Sequence, residues 1–324
     1  MNKQKILKYI QILSTIGFII FLGLYLNDTV YQPYRMKLVQ NQTKELLNKP
    51  SNAPKNTYPS QTPNGNLSDA SNPIRDEKGR LIYFQDLLAK NPDTIGWLSI
   101  PNSNIDYVVV QNNKKASYYL THNFFGKTQK SGCLFIEQKS SIEEHPKNVI
   151  IYGHNMTSSQ NMFHQLMKMK KLDYLIQHSS FTFDTIYQTG QWKIFSIFIT
   201  NGSNIEEPFF DYTRSTFKNT SDFMNFVYQI RIRSMFQFND VDVNENDQLV
   251  TLSTCTYELK DYRLVILARK ERPDEETNSN SHIELNHNAV YPNSYYTRYN
   301  INVPQLPATF EEALDQGLIP WYKK

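Results

Sequence analysis

Thr251-Leu252-Ser253-Thr254-Cys255, with Arg263 opening the apolar run Leu264-Val265-Ile266-Leu267-Ala268 a short loop later, reads as two adjoining β-strands. The first carries a thiol at its end and the second begins on an obligate cation, so a nucleophile and an anion stabiliser can meet there. The chain holds only two cysteines, which makes the setting of Cys255 informative.

Outward from this pair, residues 95–101, 105–110, 132–137 and 148–152 are β-rich and separated by Asn, Gly, Pro and Lys, and further strands fit 181–184, 192–200, 248–253 and 263–269. Helices are fewer. Asp86-Leu87-Leu88 and Tyr118-Tyr119-Leu120 fit short ones, and Met162, Leu166 and Met169 mark a third at helical spacing. The clearest covers 221–235, where Phe223, Phe226, Val227 and Ile230 form one apolar stripe and Ser221 is placed to cap the N-terminus. Many short strands with one or two inserted helices predict a mostly β, barrel-like domain over residues 81–270, and no internal repeat is evident. With 40% hydrophobic and 13% aromatic residues, the chain can fill such a core.

The flanks differ in texture. Lys3, Lys5 and Lys8 precede an apolar run from Ile10 to Leu26, and roughly 17 residues is the lower limit for a helix that crosses a bilayer. Asn27-Asp28-Thr29-Val30-Tyr31 lacks the small-residue pattern of a cleaved signal peptide, so residues 1–27 read as a cytoplasmic stub and an uncleaved transmembrane anchor. The positive residues before the span place the N-terminus in the cytoplasm and the rest outside, as a single-pass cell-membrane protein. Residues 28–80 read as a polar helix near 34–48 and then a tether over 50–73, where Pro54, Pro59 and Pro63 and many Asn, Ser and Thr cannot bury enough apolar area to order the chain. Residues 271–324 begin as a polar linker and continue into a tyrosine-rich extension with a helix near 310–315. That extension either packs near the site and limits access to it or is a surface addition with no catalytic role. The net charge of +3, with both signs spread along the chain, gives no nucleic-acid footprint.

Neither cysteine belongs to a CxxC or similar cluster, so a structural zinc site has no support, and no DxDxDG-type loop argues for calcium. Cys133, in Gly132-Cys133-Leu134-Phe135-Ile136, suits an inert core thiol, although an exported chain can also pair it with Cys255. Among the seven histidines, His145, His178, His282 and His287 lie in polar surroundings, and His122 and His164 near aromatic residues fit ordinary half-buried positions. His154 stands apart because Val149-Ile150-Ile151-Tyr152-Gly153 delivers a strand and a turn just before it, and a strand end is where a rigid scaffold presents side chains to a cleft. A thiol needs a neighbouring base or positive charge to react at neutral pH, and His154 supplies either. Arg263 stays charged and offers a fixed fork of donors to an oxyanion, its bland alternative being a charge that guards a strand edge.

Three motifs in this order, Tyr152-Gly153-His154-Asn155-Met156, TLSTC at 251–255 and Arg263 opening RLVILARK, resemble the sortase family and most of all its class B branch, over roughly residues 81–270. The resemblance implies the sortase β-barrel, with a helix inserted before the cysteine strand where 221–235 stands. Carried over by motif, Cys255 is the nucleophile, His154 the general acid/base, and Arg263, rather than Arg269 at the far end of the strand, the stabiliser of substrate and oxyanion. Leu120, Tyr152 and Ser253 fall where family members line the substrate groove. The implied reaction cleaves a C-terminal sorting signal of surface proteins through a thioester and passes the acyl group to an amine of the cell wall, in a Gram-positive bacterium and with no metal or organic cofactor. A pilin polymerase, with a pilin lysine as acceptor, would use the same residues. A plain cysteine peptidase and a non-catalytic surface adaptor are the remaining alternatives. Ala116 stands where class B relatives often carry a polar residue, and the long tail after Lys270 is a second departure.

Overall fold

Strands whose residues are apolar almost without interruption must be covered on both faces, and a sheet closed on itself with helices outside does this. The computed structural model, which describes residues 3–50, 73–115, 117–137, 141–204, 207–273, 275 and 282–323, has that architecture. In chain order the elements are α1 (Lys3–Leu26), α2 (Gln32–Glu45), α3 (Gln85–Lys90), β1 (Thr94–Ser99), β2 (Asp106–Val110), β3 (Leu134–Ile136), β4 (Asn148–Tyr152), β5 (Asn155–Met156) and β6 (Asn161–Met162). There follow α4 (Leu172–Gln177), β7 (Ser180–Thr185), β8 (Gln191–Asn201), α5 (Thr220–Arg233), β9 (Phe236–Phe238), β10 (Leu249–Thr256), β11 (Tyr262–Lys270), β12 (Ile283–Leu285), α6 (Asn293–Tyr299) and α7 (Phe310–Asp315).

Eight strands close a barrel in the order β1-β2-β3-β4-β10-β11-β8-β7. The β2–β3 and β4–β10 neighbours are parallel and the others antiparallel. Directly paired residues share a face. Ile151, Leu252, Ile266 and Ile197 follow one another across four strands and are all buried on the inner face. Trp97, Val108 and Phe135 lie on the outer face in a second apolar cluster with Leu81, Tyr83, Phe84 and Leu87, so the segment before β1 seals the barrel wall. A one-residue slip would exchange the two sets, which fixes the register.

Outside the barrel, α5 packs on β8, with the Ser196 hydroxyl donating to the Ile230 carbonyl. Its cap is Asn219, in extended conformation and accepting from the Asp222 N–H, and not Ser221. Ser221 is already inside the first turn, where its hydroxyl donates to Glu311 of α7 instead. The segment marked by Met162, Leu166 and Met169 is a 3₁₀ helix, Phe163–Lys170. Phe163, Leu166 and Met169 are its buried row, and their spacing of three matches the three-residue turn of that helix.

At the N-terminus α1, a π-helical turn over Asn27–Tyr31 and α2 run into one another, and α1 is long and apolar enough to cross a membrane. The α2 helix docks on β2, burying Met36, donating from Gln40 to the Asp106 carbonyl at 3.0 Å and pairing Lys44 with the Asp106 carboxylate at 2.5 Å. Residues 51–72 of the expected tether, and Ala116, lie outside the described residues. The C-terminal extension is docked: β12 pairs with β9, the Tyr228 hydroxyl of α5 donates to the Pro307 carbonyl at 2.8 Å, and Phe310 and Ala313 of α7 are buried.

Candidate active site

The β10 strand continues past Ser253 to Thr256, so Cys255 lies within the ladder, directly paired with Arg263 of β11. Along the outer face of β10, Thr251 and Ser253 are fully buried and Cys255 is half-exposed, so this polar row reaches the surface at the thiol. The loop before β11 ends on Asp261, which has φ of 58° and folds back on the strand. Its carboxylate accepts from the Ser203 hydroxyl at 2.7 Å and pairs with the Arg263 guanidinium at 3.0 Å. The Ser203 bond and the Arg263 charge hold the Asp261 carboxyl below the usual aspartate range. Gly202 supplies the clearance, because a Cβ there would come within 2.7 Å of Arg263 Cζ. Arg263 is therefore held against β8 with guanidinium donors to spare.

His154 follows β4 by two residues. The β4–β10 pairing continues into its turn: the Gly153 N–H donates to the Ser253 carbonyl at 3.2 Å, the Thr254 hydroxyl to the Gly153 carbonyl at 2.8 Å, and the Asn155 carboxamide to the Cys255 carbonyl at 2.9 Å. His154 is thus bracketed by two residues bonded to Thr254 and Cys255. Gly153 lets the turn lie flat, since a Cβ would meet Leu134 Cδ2 at 2.5 Å and the Phe163 ring at 2.8 Å. The ring Nε2 of His154 is 2.8 Å from the carbonyl of Leu120, which can only accept, so this geometry puts the proton on Nε2.

The three expected groove residues are placed in different ways. Leu120 ends the 3₁₀ turn Tyr118–Leu120, with its side chain exposed and its carbonyl on His154. Tyr152 is half-buried with its ring stacked on Phe135, and burial above all pushes its phenol upward in pKa. Ser253 is fully buried, and its hydroxyl lies 2.9 Å from that of Tyr212, so it supports the wall of the site without opening onto it. Burial pushes the Tyr212 phenol up to about 12, against the pull of the Ser253 bond and the Arg263 charge, so the hydroxyl stays protonated beside Cys255 and Arg263.

A sequence model of the sortase domain matches residues 98–271. The chain belongs to the sortase family. It is 34% identical over 196 residues to sortase B of Listeria monocytogenes, covering 60% of this chain and 73% of that one. To sortase B of Staphylococcus aureus it is 28% identical over 188 residues, covering 57% and 73%. A crystal structure of a Bacillus anthracis protein similar to sortase B superposes with a TM-score of 0.59 at 23% identity, over 74% of this chain and 98% of that one, a likeness in fold. The activity that goes with the family is that of a sortase transpeptidase.

In this sortase Cys133 and Cys255 are both free thiols, and burial alone pushes the Cys133 thiol far up, as suits an inert core position. Among the described residues no group of three or more His, Cys, Asp or Glu side chains is placed to hold a metal ion. The sequence assigns no site role to four residues that stand here: Asn155, His164, Tyr212 and Asp261. Asn155 was visible as the neighbour of His154, and Asp261 as the acid two residues before Arg263. Tyr212 and His164 meet the site only through folding.

Proposed function

We propose that this chain is a class B-like, membrane-anchored cysteine transpeptidase that acts on a C-terminal sorting signal of surface proteins. Cys255, as thiolate, attacks the carbonyl carbon of the signal's threonine, and the electron pair of the C=O bond moves to oxygen, where the Arg263 guanidinium stabilises it. Collapse expels the peptide amine, which takes a proton from the His154 imidazolium, and leaves a thioester on Cys255. An acceptor amine of the cell wall then attacks the thioester carbonyl, loses its proton to neutral His154 and releases the thiolate. The α1 helix is the anchor in this reading, with the domain outside the cell.

The observation that carries the proposal is the pairing of Cys255 with Arg263 across β10 and β11, while the residues flanking His154 are bonded to Thr254 and Cys255. Incubation of the protein with a library of sorting-signal peptides, with and without amines, followed by mass spectrometry, tests it. The expected result is an acyl adduct on Cys255, discharged to the amine and lost in Cys255→Ala. Turnover in that variant, or hydrolysis alone under excess amine, would sink the transpeptidase reading. Covalent ladders of a pilin subunit would identify a protein lysine as the acceptor instead.

A further inference from the structure

Asn155 is 7% exposed, and both ends of its carboxamide are engaged. Nδ2 donates to the Cys255 carbonyl at 2.9 Å, and Oδ1 lies 2.6 Å from Nδ1 of His164. A backbone carbonyl only accepts, so the NH₂ end must face Cys255, and Oδ1 must then receive a proton from His164. His164 is half-buried and serves as donor through Nδ1 whether its ring is neutral or protonated, so the orientation of Asn155 survives either state.

The surroundings close this connection into a ring. The N–H of Phe163, the residue before His164, donates to the His154 carbonyl at 2.9 Å. Asn155 pairs with Met162 across β5 and β6, and the Met162 N–H donates to the Tyr107 hydroxyl at 3.3 Å. The Tyr257 hydroxyl, two residues beyond Cys255, donates to the Asn155 carbonyl at 3.3 Å. Main chain on both sides of the His154 ring is thereby tied to β10, Gly153 through Ser253 and Thr254 and Asn155 through Cys255, while the start of the 3₁₀ helix holds the His154 carbonyl and the Asn155 carboxamide from the other side.

We propose that Asn155, oriented by His164, is a positioning residue that sets the approach of the His154 ring to the Cys255 sulfur. It rests on the reading of Cys255 and His154 as the reacting pair. Asn155 itself touches neither substrate nor sulfur in this role; its effect passes through the turn that carries His154. A displacement of about 1 Å in such a pair can cost about 100-fold in rate.

The test uses the full chain in detergent, with Asn155→Ala, His164→Leu and His164→Asn, the last keeping an N–H donor near the position of Nδ1. Three readouts are taken: kcat and KM on a sorting-signal peptide with an amine acceptor, the pH dependence of Cys255 alkylation by iodoacetamide, and the thermal midpoint. Asn155→Ala should lower kcat about 10- to 100-fold with KM within about 2-fold, and should move the alkylation profile away from that of the unaltered chain. His164→Leu should do the same more weakly, and His164→Asn should recover most of the loss. An Asn155→Ala chain that keeps the alkylation profile, with activity reduced only in proportion to its folded fraction, overturns the proposal, as does a His164→Asn chain no better than His164→Leu. Cys255→Ala and His154→Ala belong in the same panel. If either retains full turnover, the reading of the site fails and the proposal falls with it; if both abolish turnover while Asn155→Ala behaves as the unaltered chain, positioning alone fails.

Discussion

Gly132→Ala tests how the site depends on a turn that contains none of its reacting groups. Gly132 has φ of 57°, and a Cβ added there would lie 2.0 Å from the Tyr119 carbonyl oxygen and 2.9 Å from the Leu120 carbonyl carbon. These are backbone atoms, so no side-chain rotation relieves the contact. The left-handed conformation alone costs a non-glycine residue about 1–2 kcal/mol. Overpacking adds about 1–3 kcal/mol, for a total of about 2–5 kcal/mol. At about 2–4 °C per kcal/mol for a domain of this size, the thermal midpoint should fall by about 4–20 °C. The cheapest relief is to push the Tyr118–Leu120 turn outward, and that turn holds the His154 ring through the Leu120 carbonyl. A shift of about 1 Å there should lower kcat/KM by about 10- to 100-fold in the chains that remain folded. Thermal denaturation and steady-state transpeptidation at a temperature where both chains are folded measure the two effects separately. A midpoint within 1 °C or so of the unaltered chain, with kcat/KM unchanged, would refute the claim that this contact shapes the site.

Arg263→Lys keeps the charge but loses the planar fork, and should reduce kcat/KM by about 100-fold in the same assay; near-normal turnover would reduce Arg263 to a strand-edge charge. Burial opposes ionisation of Glu275, but the Arg269 guanidinium outweighs it and holds the carboxyl at about 2 against an ordinary 4.5. The folded chain therefore binds fewer protons than the unfolded one, so this contribution is complete above pH about 4.5 and is lost as pH falls toward 2. Urea unfolding across that range should show Glu275→Gln to be less stable at neutral pH and less sensitive to acid; parallel curves for the two chains would contradict the shift. Phe310→Ala should cost about 3–5 kcal/mol, because the ring is buried between the extension and α5. The thermal midpoint should fall while kcat/KM of the folded chain holds, and an unchanged midpoint would mean that α7 does not dock.

Most of the barrel was legible because its strands are apolar on both faces and punctuated by Asn, Gly, Pro and Lys. The expected bounds of β4 are the observed ones, since Asn148 and Gly153 frame the apolar run Val149-Ile150-Ile151-Tyr152. The apolar pattern of β10 gives out at Ser253, and the strand conformation of Thr254, Cys255 and Thr256 comes from the ladder to Leu264, Arg263 and Tyr262. The helix marked by Met162, Leu166 and Met169, four and three apart, stands there as a 3₁₀ helix, because Phe163 and not Met162 begins the buried row and makes its spacing three throughout. His164 looked like an ordinary half-buried histidine because its partner, Asn155, is set by the β5–β6 hairpin and not by neighbouring sequence. Tyr212 reaches Ser253 across 41 positions of chain, and nothing local in either segment records that contact.

Three segments meet at this end of the barrel: the Tyr118–Leu120 turn, the turn from Gly153 to Asn155, and the β10–β11 hairpin. Each is fixed to a neighbour by a bond that the barrel interior could not supply, through the Leu120 carbonyl, the Asn155 carboxamide and the Asp261–Ser203 pair. The inner face sets register and so decides which residues stand opposite one another, but register alone places side chains only to within the freedom of a loop. The remaining constraint is polar and lies outside the barrel. The extension joins it, since Glu207 accepts from Ser294 of α6 and from the Tyr262 hydroxyl, and the segment from Glu207 to Tyr212 leads to the wall over Ser253. A tail beyond the matched domain is thus bonded to the segment that bears on the strand of the thiol, which gives the extension a physical route to the site without a residue in it.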